Sequence, residues 1–295
     1  MPSLKEIQTR IASVQTTRQV TSAMKMVSAA KLKRAQDAIH QIRPYAEKLH
    51  EILTTLSASL SNSDESPYTR QREPEKVLIL LISSNRGLCG AFNATITKKA
   101  IELAQTKYSE QLNKGNVQFL AIGKRGEQIL KGLHLKLADN HNELFNQLTF
   151  DPVAHIANEL MDKFICRDYD RIDLVYNEFK NAAVQIPRTE QYLPVEELPP
   201  EENGSKIQNN NFIFEPSEEE IVRELIPRSL RIQLYKALLD SNTAEQGARM
   251  TSMHQATDNA TELVKELTLT YNKVRQTAIT NQIIEVTNGA LALEG

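Results

Sequence analysis

Tryptophan is absent from this 295-residue chain, and only 5% of its residues are aromatic. Large compact cores draw much of their buried area from aromatic rings. Their scarcity suits long helices better, because helix seams are filled by Ala, Leu, Ile and Met. Cysteine is nearly absent too. Cys89 and Cys166 stand alone, outside any CxxC or Cys/His cluster, which argues against a zinc site or a disulfide framework and fits a reducing compartment. No apolar run reaches the roughly 18 residues of a membrane span, so no direct membrane insertion is expected. The opening MPSLKEIQTR has neither the apolar centre of a signal peptide nor a Ser/Arg-rich transit pattern.

Glycine is missing before Gly87, and between Arg228 and Asn288 there is no proline and one glycine, Gly247. Gly and Pro weaken helix interiors by roughly 1 and 3 kcal/mol. Two tracts nearly free of both, at opposite ends of the chain, predict two long helices.

Net charge is −2, which gives no overall reason to expect nucleic acid. Its distribution is uneven. Met1 to Lys48 holds nine Lys/Arg against three acids, whereas Glu196 to Glu220 holds eight Glu against Lys206.

Stepping by 3 and 4 from Leu4 gives a heptad seam: Leu4, Ile7, Ile11, Val14, Arg18, Thr21, Lys25, Ser28, Leu32, Ala35, Ile39, Ile42, Ala46, Leu49, Leu53, Leu56 and Leu60. Thirteen of these seventeen positions are apolar, the pattern of a coiled coil. The four polar positions, Arg18 to Ser28, are consecutive. Val20, Met24 and Val27 lie one place back, so the stripe is expected to rotate there. Pro44 is expected to disturb the helix.

At the other end, Ser217 and Glu220 predict a capping box. The stripe that follows reads Ile221, Leu225, Leu230, Leu234, Leu238, then Met253, Ala256, Ala260, Leu263, Leu267, Tyr271, Val274 and Ala278. Pro227 is expected to break off the first turns. A continuous helix from Ser217 to Asn288 would be on the order of 100 Å long. Its stripe needs the N-terminal helix to cover it, and a partner sheath besides.

The middle of the chain has another texture. Lys76–Ile82, Val117–Ile122 and Arg171–Tyr176 are strand-length apolar runs, as in a parallel sheet buried on both faces. Helical stretches Asn93–Asn113, Lys124–Lys131 and Pro152–Arg167 alternate with them, and Ala183–Tyr192 adds an edge strand. This is an α/β layer. The acidic, Asn-rich segment 196–211 reads as a flexible loop. The expected organisation is therefore α/β plus a long antiparallel coiled coil. Its parts are an N-terminal coiled-coil helix at 1–62, an inserted α/β domain at 75–216 and a C-terminal coiled-coil helix at 217–295.

Few motifs suggest chemistry. Ser83–Gly90 follows the first strand, where α/β folds bind phosphate, but it is neither GxGxxG nor a P-loop. A tight two-glycine turn explains it, with an adaptor that binds an anion or nucleotide at 83–90 as the alternative. Gly123-Lys124-Arg125-Gly126 reads as a solvated turn. The six histidines show no ligand spacing and no triad pattern. On pattern alone, Met24-Lys25-Met26 is seam packing, and Arg275-Gln276 with Thr277 and Thr280 is a solvated helix face. No Lys or Arg follows Arg275, and the apolar end Gly289–Leu293 implies a protein that surrounds it.

Several blocks together resemble the γ-subunit family of F-type ATP synthases. In the first helix they are Ser3-Leu-Lys-Glu-Ile7 and Thr21-Ser-Ala-Met-Lys-Met-Val-Ser-Ala-Ala-Lys-Leu-Lys-Arg-Ala35. In the middle they are Arg86-Gly-Leu-Cys-Gly90 and Asn93. In the last helix they are Arg249-Met250, Ala256-Thr-Asp-Asn-Ala260 and Tyr271-Asn-Lys-Val-Arg-Gln-Thr-Ala-Ile-Thr280. Gln282 departs from the Glu common in that family. The resemblance implies a non-catalytic rotor subunit, without cofactor or metal, on the cytoplasmic face of a bacterial inner membrane. Its partners would be the α, β and ε subunits and the c-ring, and its central domain would be Rossmann-like. It further implies rotor–stator contacts: Met24 and Lys25 near acidic levers of β, and Arg275 and Gln276, with Thr280 beside them, at a catch loop.

Overall fold

A computed structural model of the chain describes residues 3–59, 67–146, 148–195 and 218–294. Leu60, the acidic segment 196–211 and the Ser217 cap lie outside these residues, as do the side chains of Leu53, Leu56 and Ile221. In order, the elements are α1 (Leu4–Ser59), β1 (Val77–Ile82), α2 (Phe92–Thr106), α3 (Ser109–Asn113), β2 (Val117–Ile122), α4 (Lys124–Gly132) and β3 (Leu137–Asn140). A 3-10 turn (Asn142–Asn146), α5 (Phe150–Ile165), β4 (Arg171–Phe179), β5 (Gln185–Leu193) and α6 (Glu218–Glu294) complete the chain. Both long helices run through their prolines, Pro44 in α1 and Pro227 in α6, so the expected break at Pro227 does not occur. The stretch predicted as one helix over 93–113 is two, α2 and α3, and β3 and the 3-10 turn are additions to the sequence reading.

By proximity the chain divides into two units, Met1–Ala29 with Arg249–Gly295, and Ala30–Ala248. The larger unit is built on a five-stranded sheet in the order β3-β2-β1-β4-β5. β1 pairs in parallel with β2 and β4, β2 with β3, and β5 closes the sheet antiparallel to β4. All six residues of β1 are buried, as expected of a strand covered on both faces. Its alternation sends Leu78, Leu80 and Ile82 into one core, with Leu160 and Phe164 of α5 and Leu230, Leu234 and Leu238 of α6. Val77, Ile79 and Leu81 enter the other, with Ile96, Ala100 and Ala104 of α2 and Leu130 of α4. Each such aliphatic side chain contributes about 1.5–3 kcal/mol of burial. Within this unit α1 buries Leu32, Ala35, Ile39 and Leu49, all on the predicted heptad.

In the smaller unit the heptad also holds, in a way the residue types conceal. Ile7 and Ser28 of α1 are buried, and Leu4, Ile11, Val14, Arg18, Thr21 and Lys25 are half-buried. The expected rotation of the stripe does not happen. Val20 is 53% exposed and Val27 56%, while Ser28 is 2% exposed. A 3-4 step continues through the polar residues because the backbone repeat fixes which positions face the partner helix, whatever side chain stands there. The facing stripe of α6 is Met253, Ala256, Thr257, Ala260, Val264, Leu267, Tyr271, Val274 and Ala278. Val264 takes the place expected for Leu263, which is exposed. The helices run antiparallel, and the hydroxyls of Thr21 and Thr257 meet at 2.9 Å. The threonines of α6 are accommodated by turning their hydroxyls back on the helix. Thr261, Thr268, Thr270, Thr277, Thr280 and Thr287 each donate to the carbonyl four residues earlier.

Candidate functional site

Two places invite a functional reading: the carboxyl edge of the sheet and the outer faces of the smaller unit. Strand order reverses between β1 and β4, and α/β sheets bind ligands in the crevice beyond that point. Here the crevice is filled by the chain itself. Cys89 from the β1–α2 connection and Phe92 at the start of α2 pack with Ala244 and Ala248 of α6 and with Phe179 at the end of β4. The lone glycine of this part of α6 belongs to the same closure. A Cβ on Gly247 would stand 3.2 Å from the Cα of Ala182.

The turns that could cradle an anion are closed by internal bonds. The Ser84 amide donates to Asn93 Oδ1 at 3.0 Å, and the amides of Gly123 and Lys124 donate to Asn142 Oδ1 and Asn85 Oδ1, each at 3.0 Å. The Arg125 amide donates to the Ser84 carbonyl at 3.0 Å, and that of Gly126 to Ser83 Oγ at 2.9 Å. These are the amides a phosphate would use at the start of α4, and each is engaged. Gly123, with φ of 120°, and Gly126 are required here, because a Cβ on Gly126 would lie 2.6 Å from Ser83 Oγ. Glu127 on the next turn accepts from Lys131 and Asn142, and these two bonds hold its carboxyl below the ordinary value. The anion-binding alternative at 83–90 thus meets a turn in which the Ser83 and Ser84 amides and the Ser84 and Asn85 side chains already have partners within the chain.

Among the described residues the histidines form no catalytic set. His141 Nε2 lies 3.8 Å from Glu159, which pairs more closely with Lys163 at 2.7 Å. Among the described residues no three His, Cys, Asp or Glu side chains could share a metal ion, and no helix is long and apolar enough to cross a membrane.

The five residues singled out from the sequence all lie in the smaller unit. Met24 and Lys25 are half-buried on α1. Lys25 occupies a seam position. Arg275, Gln276 and Thr280 are exposed on α6, and Thr280 Oγ1 donates to the Gln276 carbonyl at 2.9 Å. The structure sets Gln276 and Thr280 one turn apart on α6, with Arg275 beside Gln276, so the three span about one and a half turns. It leaves them well away from Met24, since Thr21 pairs with Thr257, and eighteen helical residues beyond that point span about 27 Å.

Sequence reasoning missed the outward apolar residues beside Met24, namely Val20, Met26 (68% exposed) and Val27. Their signal was available: they are apolar and off the 3-4 step. Beyond Ala278 α6 has no covered residue up to Ala290, and Ile279, Ile283, Ile284 and Val286 face outward. A basic helix with an outward apolar cluster and a bare apolar helix end are surfaces for other proteins.

Comparison with known proteins agrees with that reading. A family profile described as ATP synthase matches residues 3–293. The ATP synthase gamma chain of Flavobacterium psychrophilum is 55% identical over 295 residues, covering 100% of both chains. That of Cytophaga hutchinsonii is 49% identical over 293 residues, covering 99% of each. Among solved structures, a chain of the Tetrahymena thermophila mitochondrial ATP synthase central stalk and c-ring is 25% identical with a TM-score of 0.56. The match covers 80% of this chain and 99% of that one. A chain of the Euglena gracilis mitochondrial ATP synthase shares the fold with a TM-score of 0.71 at 18% identity, covering 98% of this chain and 94% of that one. On full-length identity to its bacterial relatives, the chain belongs to the ATP synthase gamma chain family.

Proposed function

We propose that this chain is the central-stalk rotor subunit of a bacterial ATP synthase, a non-catalytic part that transmits torque between a membrane c-ring and an α/β catalytic head. The observation that carries the reading is the smaller unit: two antiparallel helices with outward apolar residues and a bare apolar end. A partner biases a conformational equilibrium only through contacts that differ between the states. An asymmetric helix pair offers a different face to each of three equivalent β subunits, and so gives each a different nucleotide affinity. Met24 and Lys25 form one rotor–stator contact, and Arg275, Gln276 and Thr280 another. The ε subunit and the c-ring hold the α/β part. The working division is 1–62, 75–216 and 217–295. The location is peripheral, on the cytoplasmic face of the inner membrane, and the driving ion is a proton or sodium.

Reconstitution of the catalytic head with and without this chain tests the proposal. Rotation, and ion uptake coupled to ATP hydrolysis, should require it. Equal coupling in its absence overturns the reading.

A further inference from the structure

Arg43 joins three elements of the larger unit. Its Nη2 donates to Asp240 Oδ1 of α6 at 3.1 Å and lies 3.5 Å from the carbonyl of Phe179, the last residue of β4. The Asp240 side chain is 1% exposed and that of Arg43 34%. Two residues along α1, the ring of Tyr45 carries the guanidinium of Arg228 at 5.8 Å. We propose that Arg43 is a positioning residue that locks α1 to α6 and to the end of the sheet against sliding, so that torque passes between the helices and the α/β layer.

Around Arg43, α1 is held by the buried aliphatic residues Leu32, Ala35, Ile39 and Leu49. Apolar burial is non-directional and opposes sliding along a seam weakly, since one aliphatic contact replaces another. A charge-assisted hydrogen bond has a fixed geometry. Displacing it here would leave a carboxylate in the interior without its partner, the costly case for a buried ion pair. Burial pushes the Asp240 carboxyl above its ordinary value and Arg43 draws it back, as expected of a pair whose partners depend on each other. Position matters as well. Pro44, next in the chain, has no amide to continue the helix ladder and crowds the preceding turn. The tie therefore stands at the place where α1 is locally weakest.

This proposal rests on the rotor reading, and its test separates the two. The full complex, reconstituted in vesicles, would carry Arg43→Met with Asp240→Leu, which removes the tie but leaves no buried charge, or Arg43→Lys, which keeps the charge and loses the planar fork. The readouts are incorporation of the chain, ATP hydrolysis, and ion uptake per ATP hydrolysed. The double variant should incorporate and hydrolyse ATP while uptake per ATP falls between about twofold and thirtyfold, with Arg43→Lys in between. If the double variant fails to incorporate, Arg43→Lys decides: a lowered ratio supports the proposal and a wild-type ratio overturns it. Variants that incorporate and couple as wild type refute the role of Arg43 alone. A wild-type complex that hydrolyses ATP with no ion uptake refutes the rotor reading, and this proposal with it.

Discussion

The hydroxyls of Thr21 on α1 and Thr257 on α6 lie 2.9 Å apart, in a stretch of the helix seam where four successive positions are polar. Thr21 donates to the Arg18 carbonyl at 3.0 Å, and the single proton of Thr257 lies between Thr21 Oγ1 and the Met253 carbonyl, 2.7 Å away. Each hydroxyl thus keeps a partner on its own helix. Replacing both by valine removes two polar groups together and leaves neither unpaired, a change that is nearly neutral or stabilising. The double variant Thr21→Val with Thr257→Val should match or exceed the stability of the native chain in urea unfolding. A loss above about 2 kcal/mol would show that the hydroxyl pair holds the seam together.

The phase of the seam can be tested by contrast. Ile7 and Met253 are each 4% exposed. Truncating either to alanine should cost about 2–5 kcal/mol. Val27→Ser, on the outer face, should stay within about 0.5 kcal/mol. Were Val27→Ser the more damaging to thermal unfolding, the stripe would indeed rotate. On the proposed function, Val27→Ser should weaken association with the catalytic head while leaving the isolated chain folded, measured by titration of head against chain.

At the carboxyl edge of the sheet, Gly126 and Ser83 leave no room for a side chain. Gly126→Ala would force the Ser83 hydroxyl from its bonds to the Gly126 amide and the Gly123 carbonyl. A loss of at least about 1 kcal/mol should result, and more where the freed groups stay buried. Gly132, which has nothing within 4 Å of its would-be Cβ, should accept alanine with unchanged or improved stability.

Glu127 gives a pH signature. Its folded carboxyl is held low by the bonds from Lys131 and Asn142. Its contribution to stability is therefore present above the unfolded value of 4.5 and is lost as pH falls through the lower folded value. Glu127→Gln should be less stable than the native chain at neutral pH, and the difference should close as the medium is acidified. Asp240 runs the other way. Its folded carboxyl is raised above the unfolded 3.8, so its contribution weakens as pH rises between those two values. Denaturant midpoints of both chains across the acid range check the sign, and a gap that widens on acidification refutes it.

Much of this was legible in the residue order. Strand β2 has the bounds the apolar run predicts, and β1 begins one residue later. The absence of glycine before Gly87 and the 3-4 step announce α1, because helix propensity and heptad phase are local properties that one chain segment carries by itself. The expected break at Pro227 is absent. Pro227 sits inside a continuous α6, whose neighbours Ile226 and Leu230 are buried, so tertiary contacts outweigh the local penalty.

The sequence alone determined the two long helices, four of the five strands, their order and the family. It did so because periodicity, glycine placement and local residue blocks need no knowledge of what lies opposite. Tertiary structure decided what faces what. It kept Arg18, Thr21, Lys25 and Ser28 in the seam and turned Val20 and Val27 outward, filled the sheet's crevice with Ala244 and Ala248, and set Arg43 against Asp240. These pairings join residues up to 236 positions apart in the chain. A spacing rule read along one segment holds no information about them, since they arise only when the helices and the sheet bury their faces on one another.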